Sequence, residues 1–241
     1  MHTLNILNIT LRPFLRINYK KCEKSMKIIA LILAAGRGTR AGGANPKQWQ
    51  HLGNKRIIDH SIDLFKDISK INNIMVVLHP DDLHLLNRGD VLFTKGGHTR
   101  SESVKLGLEA LKQNEMPDYV LIHDAARPTT PLNVINNVLD SLDTADAVSP
   151  GLPVTDTLWE VIDEEVMQTK SRKNIWRAQT PQGFNFKKIL DAHVASSSTA
   201  TDDVEVATSA GIKVKVIQGS EKNIKITTAE DFDRVTAVLG Y

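Results

Sequence analysis

Arg37, Arg40 and Lys47 stand close together around Gly36 and Gly38 in this chain of 241 residues. Such cations can offset phosphate charge, and glycines let backbone N–H groups come close to a ligand. Together they read as a cradle for a triphosphate. Further groups capable of chemistry fall at strand ends or in neighbouring loops. Asp124 and Arg127 follow the apolar run Tyr119-Val120-Leu121-Ile122; Arg172, the 177–180 segment with Thr180, Thr201-Asp202 and Lys225 come later. Asp124 can hold a ribose hydroxyl or sit near a metal. Taken singly, each reads more readily as a surface or capping residue, and Asp202-Asp203 as the cap of the next helix.

The elements that must position these groups are legible as hydrophobic runs. Ile28-Ile29-Ala30-Leu31-Ile32-Leu33-Ala34 reads as a buried strand emptying into the glycine-rich loop, where open α/β sheets bind nucleotides. Ile57, Ile58, Ile62 and Phe65 mark a helix, and Ile74–Leu78 a second strand. A short helix near 81–87 and a short strand at 91–93 follow. Gly96-Gly97 opens a helix with the stripe Val104, Leu108 and Leu111, the strand at 119–122 comes next, then a helix through Val134–Leu139 and a strand at Ala147-Val148. The last third reads as helix (186–195), helix (203–210), strand (212–217) and helix (229–239). This alternation predicts an α/β fold, a Rossmann-like, mostly parallel sheet with helices on both faces. It breaks down at about 150–176. There, 158–162 and 166–169 flank Asp163-Glu164-Glu165 as a hairpin, read as a β-arm that either pairs with another subunit or is a plain surface hairpin.

Composition narrows the function. With 41% apolar residues, the chain suits one domain over 26–241, preceded by a leader at 1–25 expected to be disordered. The leader holds Arg12, Arg16, Lys20, Lys21 and Lys24 against Glu23, a surplus of +4, so the remaining residues carry −2 of the total +2. The basic balance is therefore no footprint of nucleic-acid binding, and 5% aromatics offer no stacking surface. No apolar run is long enough for a bilayer. The single cysteine, Cys22, fits a reducing compartment, and the cytoplasm is expected ahead of an organelle. The histidines show no metal-ligand spacing, and no Gly-x-Ser-x-Gly elbow is present. No Walker Gly-Lys-Ser/Thr ends the glycine run. Gly36-x-Gly38-x-x-Ala41 formally matches a dinucleotide fingerprint, but Asn45-Pro46 argues against the required helix, and no acidic ribose ligand ends the second strand.

The segments Leu33-Ala34-Ala35-Gly36-x-Gly38-x-Arg40, Pro46-Lys47-Gln48, Gly96-Gly97-x-x-Arg100-x-x-Ser103-Val104, His123-Asp124-Ala125-Ala126-Arg127-Pro128, Thr180-Pro181-Gln182, Thr201-Asp202 and Asn223-Ile224-Lys225 recur in the same order in a known family. Over about 27–239 the chain resembles the 2-C-methyl-D-erythritol 4-phosphate cytidylyltransferases of the non-mevalonate isoprenoid pathway. The resemblance implies a nucleotidyltransferase-type fold. It also implies transfer of a cytidylyl group from CTP to methylerythritol phosphate, in which the substrate phosphate attacks the α-phosphorus in line and expels pyrophosphate. CTP would lie over Ala35, Gly36 and Gly38, with Mg²⁺ held mainly by its phosphates and Asp124 as a candidate contact. Arg40 and Lys47 would stabilise the transition state. Arg172 and Lys225 would hold the substrate phosphate, with Arg127, Thr180 and Thr201 nearby. Ala34, Gly97 and Ser103 would read cytosine, and Asp124 and Ala125 would meet ribose and substrate. The arm would exchange with a partner to make a homodimer, leaving open which subunit supplies Arg172. His98-Thr99 departs from the family where an acidic residue is common. The rival expectations are a cytidylyltransferase for another polyol phosphate such as ribitol 5-phosphate, a dinucleotide-dependent oxidoreductase, and a silent nucleotide-binding scaffold.

Overall fold

Alternation along the first strand sets up both hydrophobic layers. The computed structural model describes residues 26–37, 46–196 and 200–241; the leader, Gly38 and Arg40 lie outside them. In chain order the strands are β1 (Ile28–Ala34), β2 (His51–Leu52), β3 (Lys55–Arg56), β4 (Asn73–Leu78), β5 (Leu92–Lys95), β6 (Tyr119–Asp124), β7 (Ala147–Pro153), β8 (Leu158–Ile162), β9 (Glu165–Lys170), β10 (Trp176–Ala178), β11 (Gln182–Asn185) and β12 (Val214–Gln218). The helices are α1 (Ile57–Lys66), α2 (Arg100–Asn114), α3 (Leu132–Ser141), α4 (Phe186–Ala195), α5 (Asp203–Ser209) and α6 (Ala229–Leu239).

Side chains alternate across a strand, so β1 sends Ile28, Ala30, Ile32 and Ala34 one way and Ile29 and Leu31 the other. The first set packs with Ile58, Ile62 and Phe65 of α1 and Ile135, Val138 and Leu139 of α3. The second packs with Val104, Leu108 and Leu111 of α2 and Phe186, Ile189 and Leu190 of α4. Burying a large aliphatic side chain gains about 2 kcal/mol, which is why β1 has no polar position. Gly107 on α2 faces this layer. A Cβ there would stand 2.8 Å from Val77 Cγ2 and 2.9 Å from Leu31 Cδ1, so the missing side chain is what lets α2 approach the sheet.

The sheet runs β5–β4–β1–β6–β11–β7, with β12 also paired to β7. β4, β1 and β6 are mutually parallel, as are β7 and β12, whereas β11 is antiparallel to both β6 and β7. β10 pairs antiparallel with Gly151–Pro153 of β7. The strands β10 and β11 are not among the sequence expectations. At three and four residues they offer no period to read, and Gly183 in β11 looks like a breaker. In the fold a Cβ on Gly183 would lie 2.9 Å from atoms of Leu142 and Val138, so glycine is there for close packing.

The hairpin over 158–169 forms as expected, with β8 and β9 making a separate two-stranded sheet. Asp163 and Glu164 at its tip have φ of 48° and 65°, as a two-residue type I′ loop requires. The helices at 186–195 and 229–239 occupy the anticipated residues, and the short helix near 81–87 is a 3₁₀ segment, Pro80–Leu85.

Several polar side chains are built into the core, His123 among them. His123 on β6 is fully buried, edge-on to Phe65 at a ring separation of 5.0 Å. Its Nε2 lies 3.2 Å from the Arg127 carbonyl and its Nδ1 3.1 Å from Thr180 Oγ1. A carbonyl only accepts, so the neutral ring donates from Nε2 and accepts the Thr180 hydroxyl at Nδ1. Burial pushes the imidazole down to about 4, against an opposing pull from Asp124.

Two outcomes follow from this packing. Gly107→Val is expected to cost about 1–3 kcal/mol through overpacking, seen as a lower urea midpoint at unchanged slope. Because the folded pKa of His123 is depressed below its unfolded value, the unfolded chain takes up a proton first. Stability should therefore fall by about 3 kcal/mol between pH 6.5 and 4, and His123→Gln should flatten denaturant-measured stability across that window.

Candidate functional site

The sheet reverses its winding between β1 and β6, and open α/β sheets bind ligands beyond the strand ends at such a point. A cavity of about 480 Å³ opens there, lined among others by Ala34, Ala35, Gly36, Lys47, Gly97, Ser103, Asp124, Ala125 and Lys225. Residues distant in sequence thus converge on one space. Gln48 supports the floor by donating from Nε2 to the Ala34 carbonyl at 2.9 Å, and Ala125 N–H donates to the Leu33 carbonyl at 3.0 Å.

The Gly96-Gly97 wall approaches closely. A Cβ on Gly96 would lie 2.6 Å from Ala35 Cβ, and Gly97 N–H donates to Ser103 Oγ at 3.1 Å. His98 also lines the cavity; its N–H donates to Glu102 Oε2 at 2.7 Å, so an acidic group reaches this stretch from the first turn of α2.

Electrostatics centre on Asp124, the single carboxylate among the described residues that line the cavity. Its Oδ2 accepts from Lys225 Nζ at 2.7 Å and its Oδ1 from Arg100 Nε at 3.3 Å. Burial would raise this carboxyl, but Arg100, Lys225 and Arg127 outweigh it and hold it well below the usual range. Arg100 also donates from Nη2 to Asp203 Oδ2 at 2.7 Å. Burial works against the charge on Arg100, and Asp203 and Asp124 more than restore it. Asp203 is likewise held low despite burial, by His193, whose Nε2 is 3.2 Å away, and by Arg100.

The segment carrying Lys225 is held from both sides. Ile224 and Ile226 are buried with Leu52, Ile57 and Val235 of α6, which turns the intervening lysine outward. Ile226 N–H donates to the Ala126 carbonyl at 2.9 Å, and Arg127 Nη1 donates to the Asn223 carbonyl at 2.9 Å. Lys47 opens the 3₁₀ turn Lys47–Trp49 and donates from Nζ to the Ile226 carbonyl at 2.7 Å. Lys47 thus holds the backbone one residue past Lys225.

The remaining sequence candidates lie elsewhere. Arg127 is buried behind the cavity, and burial lowers its affinity for a proton. Thr180 is also buried, and its Oγ1 accepts the Asp124 N–H at 3.2 Å. Thr201 is exposed, while Asp202 caps α5 by accepting the Val204 N–H at 2.9 Å. Arg172 is exposed beyond the hairpin, donates to the Thr155 carbonyl and is not among the cavity-lining residues. Arg37 lines the cavity, but its guanidinium is taken by Asp81, Asp82 and His79.

Arg100 and Gln48 carry no assigned role in the sequence reading, and Asp203 only that of a helix cap. One signal for Arg100 was available: a cation at the first residue of a helix opposes the helix dipole and calls for an anionic partner. No group of three or more metal-capable side chains occurs among the described residues. Among these residues no helix is long and apolar enough to cross a membrane.

Comparison with known proteins agrees with this architecture. Residues 28–241 match the family model described as IspD, 2-C-methyl-D-erythritol 4-phosphate cytidylyltransferase. The chain is 47% identical over 217 residues to the bifunctional enzyme IspD/IspF of Rhodobacter capsulatus, covering 89% of this chain and 56% of that protein. It thus spans about half the length of such bifunctional relatives. It is 44% identical over 217 residues to the 2-C-methyl-D-erythritol 4-phosphate cytidylyltransferase of Roseobacter denitrificans, covering 89% of this chain and 97% of that protein. A crystal structure of 4-diphosphocytidyl-2C-methyl-D-erythritol synthase superposes with a TM-score of 0.80 at 30% identity, covering 89% of this chain and 98% of the other. The Thermus thermophilus cytidylyltransferase superposes at 0.77 with 28% identity, over 90% and 100%. The chain belongs to the 2-C-methyl-D-erythritol 4-phosphate cytidylyltransferase family.

Proposed function

We propose that this chain transfers the cytidylyl group of CTP to 2-C-methyl-D-erythritol 4-phosphate, giving 4-diphosphocytidyl-2-C-methyl-D-erythritol and pyrophosphate. The observation that carries the proposal is the convergence of Lys47, Arg100, Asp124 and Lys225 on one cavity at the strand-order reversal, in a chain of this family. A phosphate oxygen of the polyol attacks the α-phosphorus as the bond to the bridging oxygen of pyrophosphate breaks. That oxygen is already ionised, so no protein nucleophile or base is needed. The protein's task is to align two mutually repelling anions and to stabilise charge at the transferring phosphorus.

Lys47 and Arg40 serve that charge, Arg40 on the family resemblance alone. Lys225 receives the polyol phosphate, and its ion pair with Asp124 keeps the ammonium oriented before the substrate arrives. Arg127 and Thr180 act from behind, holding the Asn223 and Asp124 backbones respectively. The backbone at Ala34 and Gly97, with Ser103, offers polar groups to the cytosine. Asp124 as the one lining carboxylate among the described residues does not make a metal cage, which suits a Mg²⁺ that arrives on the triphosphate and keeps its waters. When bound, that ion would neutralise phosphate oxygens, with Asp124 as its candidate protein contact.

Homodimer formation belongs to the same reading. Trp159, Val161, Ile162, Val166 and Met167 on the hairpin are each more than half exposed, an apolar surface suited to a second copy. Arg172, which lies outside its own chain's cavity lining, then has a route to the cavity of a partner.

The deciding assay measures pyrophosphate release from CTP and Mg²⁺ with methylerythritol phosphate and, in parallel, ribitol 5-phosphate. Turnover with the first at much higher kcat/KM is expected; preference for the second, or tight NAD(H) binding without turnover, would overturn the assignment. Lys47→Ala should lower kcat far more than it weakens CTP binding, whereas Arg172→Ala should chiefly raise the KM for the polyol phosphate. Mixing these two variants should restore turnover above either alone if Arg172 acts across the dimer. No gain on mixing, with dimers present, would place it in its own subunit's site.

A further inference from the structure

Arg37 has a different role from phosphate contact, and the reason lies in Asp82. Asp82 sits in the 3₁₀ segment after β4, with its side chain only 6% exposed. Its Oδ1 accepts from Arg37 Nη1 at 3.0 Å, and its Oδ2 accepts from Trp49 Nε1 at 2.9 Å. Arg37 and Trp49 flank the glycine-rich stretch, one just after Gly36 and the other closing the turn that bears Lys47. We propose that Asp82 is a positioning residue for the triphosphate site: its buried carboxylate ties the two ends of the glycine-rich stretch together and thereby sets where Lys47 stands. This inference rests on the cytidylyltransferase reading given above.

The surroundings of each partner support a fixed tie. Arg37 is also engaged by Asp81 Oδ2 at 2.6 Å and by His79, so its planar fork is committed to the 79–82 segment. Trp49 is buried, and the Arg56 guanidinium covers its ring at 5.1 Å from the centroid. Within the turn, Gln48 is fastened to the Ala34 carbonyl and Trp49 to Asp82. Successive residues of a 3₁₀ turn point about a third of a rotation apart, so fixing two neighbours leaves Lys47 one direction, into the cavity. A desolvated carboxylate that loses one of its two donors cannot recover it from water, which makes the tie stiff.

The test uses the full chain and three conservative variants. Asp82→Asn keeps the shape but turns an NH₂ toward one of the two donors, and Trp49→Phe removes the indole N–H together with the five-membered part of the ring while keeping an aromatic face under Arg56. Each is expected to lower kcat/KM for CTP about tenfold, with the KM for the polyol phosphate changed less than twofold. The double variant should be no worse than the weaker single, because both break one tie. Backbone amides at 47–50 should exchange faster with deuterium in both variants without ligand. Asp81→Asn, which touches Arg37 but not Trp49, should leave kinetics and exchange unchanged. Unchanged kinetics and exchange in Asp82→Asn, equal losses for both substrates, or strict additivity in the double variant would overturn the proposal. If the native chain fails to turn over CTP, the functional reading falls, and the exchange of 47–50 alone then decides the tie.

Discussion

A carboxylate withdrawn from water must be matched by cations, and that requirement at Asp124 organises the site. Desolvating the group costs several kcal/mol, so its charge survives only because Arg100 and Lys225 come to its two oxygens. Arg100 arrives at the start of α2 and is itself held by the buried Asp203 of α5. Lys225 arrives on a segment wedged between α6 and the Ala126 backbone. The ion pairs therefore do more than neutralise charge. They lock four separate parts of the chain into one register around the cavity, and each cation is oriented before any ligand is present.

The sheet places that arrangement where a ligand can use it. Parallel β1 and β6 end side by side at the point where the winding reverses, so their following loops splay apart and leave a cleft. The antiparallel β11 completes the back of the site. Its insertion beside β6 carries the preceding Thr180 hydroxyl to the Asp124 N–H and to His123, while Arg127 reaches the Asn223 carbonyl. Thr180, His123 and the Arg127 guanidinium are thus engaged behind the cavity, and the lining cations face the space a polyanion would enter. Between two anionic reactants, such preorganised charge is what the chemistry requires.

Much of this was readable from the order of residues. The unbroken apolar run of β1 and the helical spacing in α1, α2 and α3 are local signals that sequence carries in full. The motif order marked the family, and the glycines at 96 and 97 marked a close approach. Several other features were not readable in this way. Arg37 looked like a phosphate ligand because it is basic and beside glycines, yet it lies against Asp81 and Asp82, more than forty residues downstream.

The sequence alone determined the long strands and helices, which faces they bury, and that basic residues accompany a glycine-rich loop. Only the tertiary structure decided partnership: that Arg100 serves Asp124 and Asp203, 24 and 103 residues away, that β11 enters the sheet antiparallel, and that Arg172 stands apart from its own chain's cavity. Periodicity reports how a residue faces its immediate neighbours. The choice among several carboxylates for one guanidinium depends instead on which of them the completed packing desolvates and brings within reach.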